Sequence, residues 1–157
     1  GMGDGGACHP RDNIAMSWLA RDRNLSYDFF DAIMTARERQ TEWMAEHVKS
    51  VHSSSGLPVV LAGVAFKEGC DIVTGSPAKL LSYFLDQLDV SHTIIDPHVE
   101  GYPIPEKTEP SVYFIGARHK TWDRFKFPDG SIVIDPWRCF EPDNANVKYM
   151  PLGGSSI

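Results

Sequence analysis

Residues 58–77 read PVVLAGVAFKEGCDIVTGSP, and the fold turns on how that stretch is taken. Pro58 to Phe66 is an unbroken apolar run of strand length. Lacking any alternation of polar residues, it suits a strand covered on both faces, as in a parallel sheet. A loop from Lys67 to Gly75 follows. Ser76-Pro77 then supplies an N-cap and a first helical residue, and Ala78, Leu81, Phe84, Leu85 and Leu88 give that helix a buried face. Further on come a short strand around His92 to Ile95 stopped by Asp96-Pro97, a proline-rich loop over 98–110, a strand over Ser111 to Ile115, and a helical turn or short helix over His119 to Phe125. A last strand spans Ser131 to Ile134 and ends at Asp135-Pro136. Strands alternating with helices predict a parallel α/β sheet. The tail after Cys139 has few apolar residues and ends Gly-Gly-Ser-Ser, which predicts a surface-bound or disordered segment.

Ligands of open α/β sheets collect at the carboxyl ends of the strands. Those ends are Phe66-Lys67, Asp96-Pro97, Gly116 to His119 and Asp135 to Arg138. A lysine directly after a buried strand is placed to meet a phosphate, and Phe66 beside it to cover a base or sugar. The plainer readings leave Lys67 solvated and Asp96 and Asp135 as turn starters. Neither a Walker loop nor a dinucleotide fingerprint follows the first strand, so no NAD site is recognisable in this chain.

Upstream of the strand the sequence is helical. The first twelve residues, GMGDGGACHPRD, put Cys8 on a glycine-rich loop at the entrance of a helix in which Ile14, Ala15, Trp18 and Leu19 recur at helical spacing up to about Asn24. Backbone N–H groups at a helix start favour a bound anion and a thiolate. Glycines let a ligand approach closely, and Asp12 is available to cap the helix or hold a water near the sulfur. A frayed terminus carrying an incidental cysteine is the competing reading. Gly1 before Met2 reads as a remnant of tag removal, and the start on a functional-looking loop as a piece of a longer chain. Asn24 or Ser26 is the expected cap of the next helix, which runs from Tyr27 to Val51 and is roughly 37 Å long. It carries two apolar stripes: Phe30, Met34, Thr41, Met44 and Val48, and Phe29, Ile33, Ala36 and Trp43. Two stripes cover more than one small domain hides, so the helix pairs with its copy, or packs on its own chain or on another domain. Ser53 to Gly56 reads as a linker.

The totals narrow the class. At 157 residues the chain buries a real core as one main unit. A formal charge of −6 with scattered Lys and Arg argues against nucleic acid as a partner. No apolar run approaches bilayer length and no signal peptide is visible, which assigns the cytoplasm and no membrane partner. Three cysteines without a C-x-x-C pair, with His9 beside Cys8, make neither a disulfide framework nor a metal site.

The order Gly-x-Gly-x-Gly-Gly-x-Cys-x-Pro-x-Asp at 1–12, a long helix, GVAFKEGCDIVTGSP at 63–77, an Asp-Pro after the next strand and VID at 133–135 resembles the C-terminal portion of the UDP-glucose/GDP-mannose dehydrogenases. The resemblance implies that residues 1–55 form the catalytic-cysteine loop and central dimerisation helix, 56–143 a Rossmann-like domain binding the UDP-sugar, and 144–157 a tail. It implies an NAD-dependent oxidation of the sugar C6 alcohol to the uronate. Cys8 is then the nucleophile that carries the thiohemiacetal and thioester, and Asp12 the carboxylate that assists proton transfer or orients water. Gly3, Gly5 and Gly6 wrap the substrate, Phe66 and Lys67 contact it, and Arg138 touches phosphate if its loop shifts by one residue. NAD and the remaining catalytic groups would belong to an N-terminal domain outside this chain, which alone should not turn over. Three features depart from the family pattern: Thr74 stands where relatives have an arginine reaching the NAD side, Asp135-Pro136-Trp137-Arg138 replaces Asp-x-Arg, and the 98–110 loop is short. A non-catalytic nucleotide-binding or dimerisation module that kept the fold is the second reading, favoured by Ile72, Thr74 and Trp137. A cysteine hydrolase needs a histidine base that His9, adjacent in sequence, is poorly placed to supply.

Overall fold

The computed structural model describes residues 2–3, 6–139 and 143–153. Helix α1 (Cys8–Asp22) and helix α2 (Phe29–Ser55) form an antiparallel hairpin that leads into β1 (Val59–Ala62), α3 (Pro77–Gln87), β2 (His92–Ile95) and β3 (Val112–Ile115). A 3-10 turn (Lys120–Asp123), β4 (Ile132–Asp135) and β5 (Lys148–Pro151) complete the order. All five strands are parallel, in the spatial order β2-β1-β3-β4-β5. The predicted parallel α/β sheet preceded by a helical segment with one long helix is therefore the observed fold.

Because side chains alternate across a strand, Val59, Leu61, Val112, Phe114 and Ile134 point to one face. There they meet Met44, Ala45, Val48 and Val51 of α2 and Leu81 and Leu85 of α3 in a single core. Each of those leucines, fully buried, contributes about 2–3 kcal/mol. Ala62, Tyr113, Ile115 and Val133 point to the other face, which among the described residues is covered by no α-helix. Aromatic rings from the loops close it instead. Phe127 stands edge-on to Tyr113 and to Phe125 with centroids 5.0 and 4.8 Å apart, and Trp122 lies beneath.

Four boundaries differ from the sequence reading, each for a local reason. The Pro58–Phe66 run is a strand only to Ala62; Gly63 turns the chain at φ +94° and Val64 and Ala65 are apolar because their loop is buried. Helix α1 starts at Cys8, with Pro10 in the first turn where its missing N–H costs nothing. The serines taken as a linker are the last turn of α2, which ends at Gly56 in the left-handed conformation. Asp28, rather than Asn24 or Ser26, caps α2 by accepting from Asp31 N at 2.9 Å. The largest miss is β5: the segment read as a surface-bound or disordered tail contributes the edge strand next to β4.

Chain order reverses between β1 and β3, the crevice where open α/β sheets place ligands. Here the two strand ends close on one another. A Cβ at Gly63 would lie 2.7 Å from Ala117 N, and one at Gly116 would lie 2.3 Å from Gly63 O. Gly63→Ala is expected to cost about 3 kcal/mol or more, combining overlap with a positive φ. Gly56→Ala, with φ +70° and open space around it, should cost only about 1–2 kcal/mol. Urea unfolding of the two variants tests the difference.

Candidate functional site

The turn before α1 is built on the loop after β1. Gly6 N donates to Gly75 O at 3.1 Å. A Cβ on Gly75 would sit 2.3 Å from Gly6 C and 2.6 Å from Ala7 N, and one on Gly6 would sit 3.3 Å from the Phe66 ring. Only glycines allow this approach, and both have positive φ. Preceding it, Met2 is buried in the main core and Gly3 lies against Pro77 and Arg37. Gly5 lies outside the described residues.

This packing sets Gly6 and Ala7, the two residues before Cys8 at the start of α1, against the loop that carries Phe66 and Lys67. Asp12 follows one turn later on the same side of the helix. It does not cap the helix, since Ala7 is the N-cap and makes no side-chain bond; its carboxylate pairs with Arg11 Nε at 2.9 Å, and both are exposed. Phe66 is half-buried, with Lys67 Nζ 5.3 Å from its ring centroid. Arg138 is not gathered into this group. It sits beyond β4 at φ +52° with its Nε donating to Leu152 O at 2.9 Å.

All three cysteines are free, and their surroundings separate them. Burial, with Asp135 nearby, pushes the Cys139 thiol up to about 11, so it is no nucleophile at neutral pH. Cys70 is half-buried, its thiol donating to Lys67 O at 3.4 Å. Cys8 is exposed at a helix start. Among the described residues no cluster of three or more His, Cys, Asp or Glu is arranged to hold a metal, and no helix is long and apolar enough to cross a membrane.

Beneath the loop, two of the strand ends named from the sequence meet in a way the sequence does not show. Asp96, fully buried at the end of β2, accepts from Val64 N at 2.7 Å, Ala65 N at 3.0 Å and His119 Nε2 at 3.2 Å on one oxygen. Its other oxygen accepts from His98 N at 2.8 Å and Val99 N at 3.1 Å. The turn-starting role read from Asp96-Pro97 is thus half of what it does. Desolvation alone would raise its pKa, but the His119 bond and the backbone bonds outweigh it and hold the carboxyl well below the usual carboxylate range. Asp135 repeats the arrangement at the end of β4, accepting from Trp137 N, Arg138 N, Cys139 N and the Tyr149 hydroxyl.

Asp96 also decides what the turn after β1 can bind. A dinucleotide site offers backbone N–H groups of its first turn to a pyrophosphate. Here Gly63 N is taken by Ile95 O, Val64 N and Ala65 N by Asp96, and Phe66 N by Ile72 O. Ser76 Oγ accepts from Ala78 N and Lys79 N at the start of α3. The residues present at this turn do not fit NAD.

Since the folded-state pKa of Asp96 lies below its unfolded value, its contribution to stability is complete above about pH 4 and is lost as pH falls toward the folded value. Asp96→Asn should lower stability at pH 7 by about 2–4 kcal/mol. The gap from wild type should narrow below about pH 4, as read by denaturant unfolding across pH.

No family model matches the chain. It is 28% identical over 98 residues to the UDP-glucose 6-dehydrogenase TuaD of Bacillus subtilis, a match covering 62% of this chain and 21% of that protein. It is 32% identical over 81 residues to the UDP-glucose 6-dehydrogenase AglM of Haloferax volcanii, covering 52% and 19%. The matched stretch thus spans about a fifth of these relatives. In fold it is similar to a GDP-mannose dehydrogenase from Pseudomonas aeruginosa, with a TM-score of 0.75 at 20% identity, covering 95% of this chain and 40% of the other. A UDP-D-ManNAc dehydrogenase from Pyrococcus horikoshii gives 0.73 at 18% identity, covering 96% and 39%. In sequence over part of its length, and in fold over nearly all of it, the chain resembles the nucleotide-sugar dehydrogenases to which its motifs point.

Proposed function

We propose that this chain is the substrate-binding and dimerising part of an NAD-dependent nucleotide-sugar 6-dehydrogenase, which oxidises the C6 alcohol of a UDP-sugar of the UDP-glucose or UDP-N-acetylmannosamine type to the uronate. The observation that carries the reading is the Gly6–Gly75 contact, which puts the Cys8 turn against the Phe66–Lys67 loop at the carboxyl ends of the strands. Residues 1–55 supply the thiol and the helices, and the sheet domain from residue 56 supplies the nucleotide-sugar surface. With the backbone donors at the end of β1 already taken, the diphosphate depends on side-chain charge, and Lys67 is the exposed cation on that loop. Phe66 offers an apolar edge to the sugar or base.

In this scheme Cys8 Sγ attacks the C6 carbonyl carbon of an aldehyde, the carbonyl oxygen taking a proton to give a thiohemiacetal. Asp12, one turn along, orients the water that later cleaves the thioester. NAD would be the acceptor for the oxidation and would be held by another domain, since the backbone donors of the turn after β1 are already used within this chain. Arg138, bonded to Leu152 O, contributes to phosphate binding only if that bond opens.

The second reading, a non-catalytic module, draws on Trp137. Its Nε1 donates to Ile115 O at 3.0 Å, filling the end of β3. The two readings part at Cys8. On this chain, millimolar UDP-glucose should shift the amide resonances of Phe66, Lys67 and Cys8 and slow alkylation of Cys8 by iodoacetamide. Lys67→Ala should weaken that binding about tenfold. NAD plus UDP-glucose should give no NADH. Turnover by this chain would overturn the division of parts, and an inert, unprotected Cys8 would favour the module.

We further propose a homodimer through α2. Phe29, Ala36 and Trp43 of its second stripe are exposed and Ile33 half-buried, with Phe29 at 61%, and α1 adds Trp18 at 66% with Ile14 one turn before it. Sedimentation equilibrium at tens of micromolar should give a dimer, and the double variant Trp18→Glu, Phe29→Asp should be monomeric with its melting temperature little changed.

A further inference from the structure

We propose that His119 is a positioning residue that holds the Phe66–Gly75 loop, and through it the Cys8 turn, in register with the sheet. The imidazole is buried after β3, and each ring nitrogen faces one defined partner. Nδ1 receives the Gly69 N–H at 3.2 Å, fifty residues away in sequence, so Nδ1 carries no proton. Nε2 faces Asp96 Oδ2 at 3.2 Å, an acceptor that already takes two backbone N–H groups, so Nε2 carries the proton. The neutral Nε2–H form therefore connects a buried carboxylate to the middle of the loop. The same carboxylate holds the start of that loop at Val64 and Ala65.

The ring has little freedom to leave this position. His119 N donates to Ala117 O, and Trp122 N donates back to His119 O. His98 lies across one side with centroids 4.8 Å apart, and Trp122 stands edge-on at 6.2 Å. On the far side of the loop, Gly75 O accepts from Gly6 N and the Phe66 ring rests on Gly6. Contacts thus run from Asp96 through His119 to Gly69, and the loop backbone, closed by Phe66 N on Ile72 O, carries on to Gly75 and the residue two before Cys8. Its relevance to chemistry rests on the reading of Cys8, Phe66 and Lys67 proposed above; the geometric claim does not.

The test uses the whole chain labelled with ¹⁵N. Long-range ¹H–¹⁵N correlation at neutral pH should show His119 protonated at Nε2 and bare at Nδ1; the opposite tautomer overturns the proposal. His119→Gln keeps a donor near the Nε2 position and removes the acceptor at Nδ1, whereas His119→Asn keeps an acceptor near Nδ1. Hydrogen exchange at the Gly69 and Gly6 amides should accelerate at least about tenfold in H119Q and return toward wild type in H119N. Unchanged exchange in a folded H119Q, or acceleration at Gly69 without Gly6, overturns it. Should H119Q fail to fold, the tautomer and the exchange rates of H119N decide. UDP-glucose titration forms a separate arm. Altered exchange with no binding by wild type leaves the positioning role standing and sinks the substrate reading, whereas weaker binding by H119Q with restoration in H119N supports both.

Discussion

A buried carboxylate with five donors organises the ligand-facing end of this molecule. Asp96 lies under β1, β2 and β3 together, and its partners come from the turn after each: Val64 and Ala65, His98 and Val99, and His119. Burying an ionised carboxylate is costly unless its lone pairs are satisfied. Here both oxygens are, mostly by backbone N–H groups that would otherwise be orphaned by the same burial. The exchange is mutual, because the loops need an internal acceptor as much as the anion needs donors. It also explains why a sheet with Rossmann-like order shows no dinucleotide turn. The position that would attract a bound pyrophosphate is filled by a charge of the same sign belonging to the protein.

Asp135 makes the same exchange three strands along the sheet, and the pair explains how strands of four residues hold a sheet together. The ladders are short, so much of the backbone lies in turns, and these turns are tied back by the two aspartates, by Trp122 Nε1 to Ala117 O and by Trp137 Nε1 to Ile115 O. The aromatic rings over the second face serve a related need. Where a helix would bury that face with its own satisfied backbone, loops must bring large rings instead, since one Phe or Trp covers area that several smaller residues would have to share. Trp122 and Trp137 each cover apolar surface and cap a carbonyl at a strand end.

Legibility in the sequence followed from how local each signal was. Helix α3 was readable nearly to the residue because Ser76-Pro77 is a local device and Leu81 and Leu85 repeat at helical spacing. The Pro58–Phe66 run is longer than β1 because apolar residues report burial, and Val64 and Ala65 are buried in a loop whose donors are satisfied from 32 and 31 residues away. β5 carries no such signal, because KYMP at an edge has no apolar alternation to announce it; its place comes from pairing with β4 and the Tyr149 hydroxyl on Asp135. His119 escaped for the same reason. Nothing around it in sequence mentions Gly69 or Asp96, and only the order of the strands makes them neighbours. By contrast, the glycine-rich stretch marks Gly6 as a place of close approach, while nothing in the sequence shows that Gly75 is what approaches it.

That last pair states the constraint on the site most sharply. Cys8 is joined to the sheet through the helical hairpin, whereas Lys67 lies on the loop that follows β1, so their relation depends on how the N-terminal segment docks on that loop. The docking is backbone against backbone at Gly6 and Gly75, anchored upstream by Met2 in the core. A side chain at either glycine would push the two groups apart while leaving both the sheet and the hairpin intact. A contact made of absent side chains has no rotamers to relax into, which makes it stiff, and stiffness at the join of two elements is what a nucleophile on one and a substrate-holding cation on the other require.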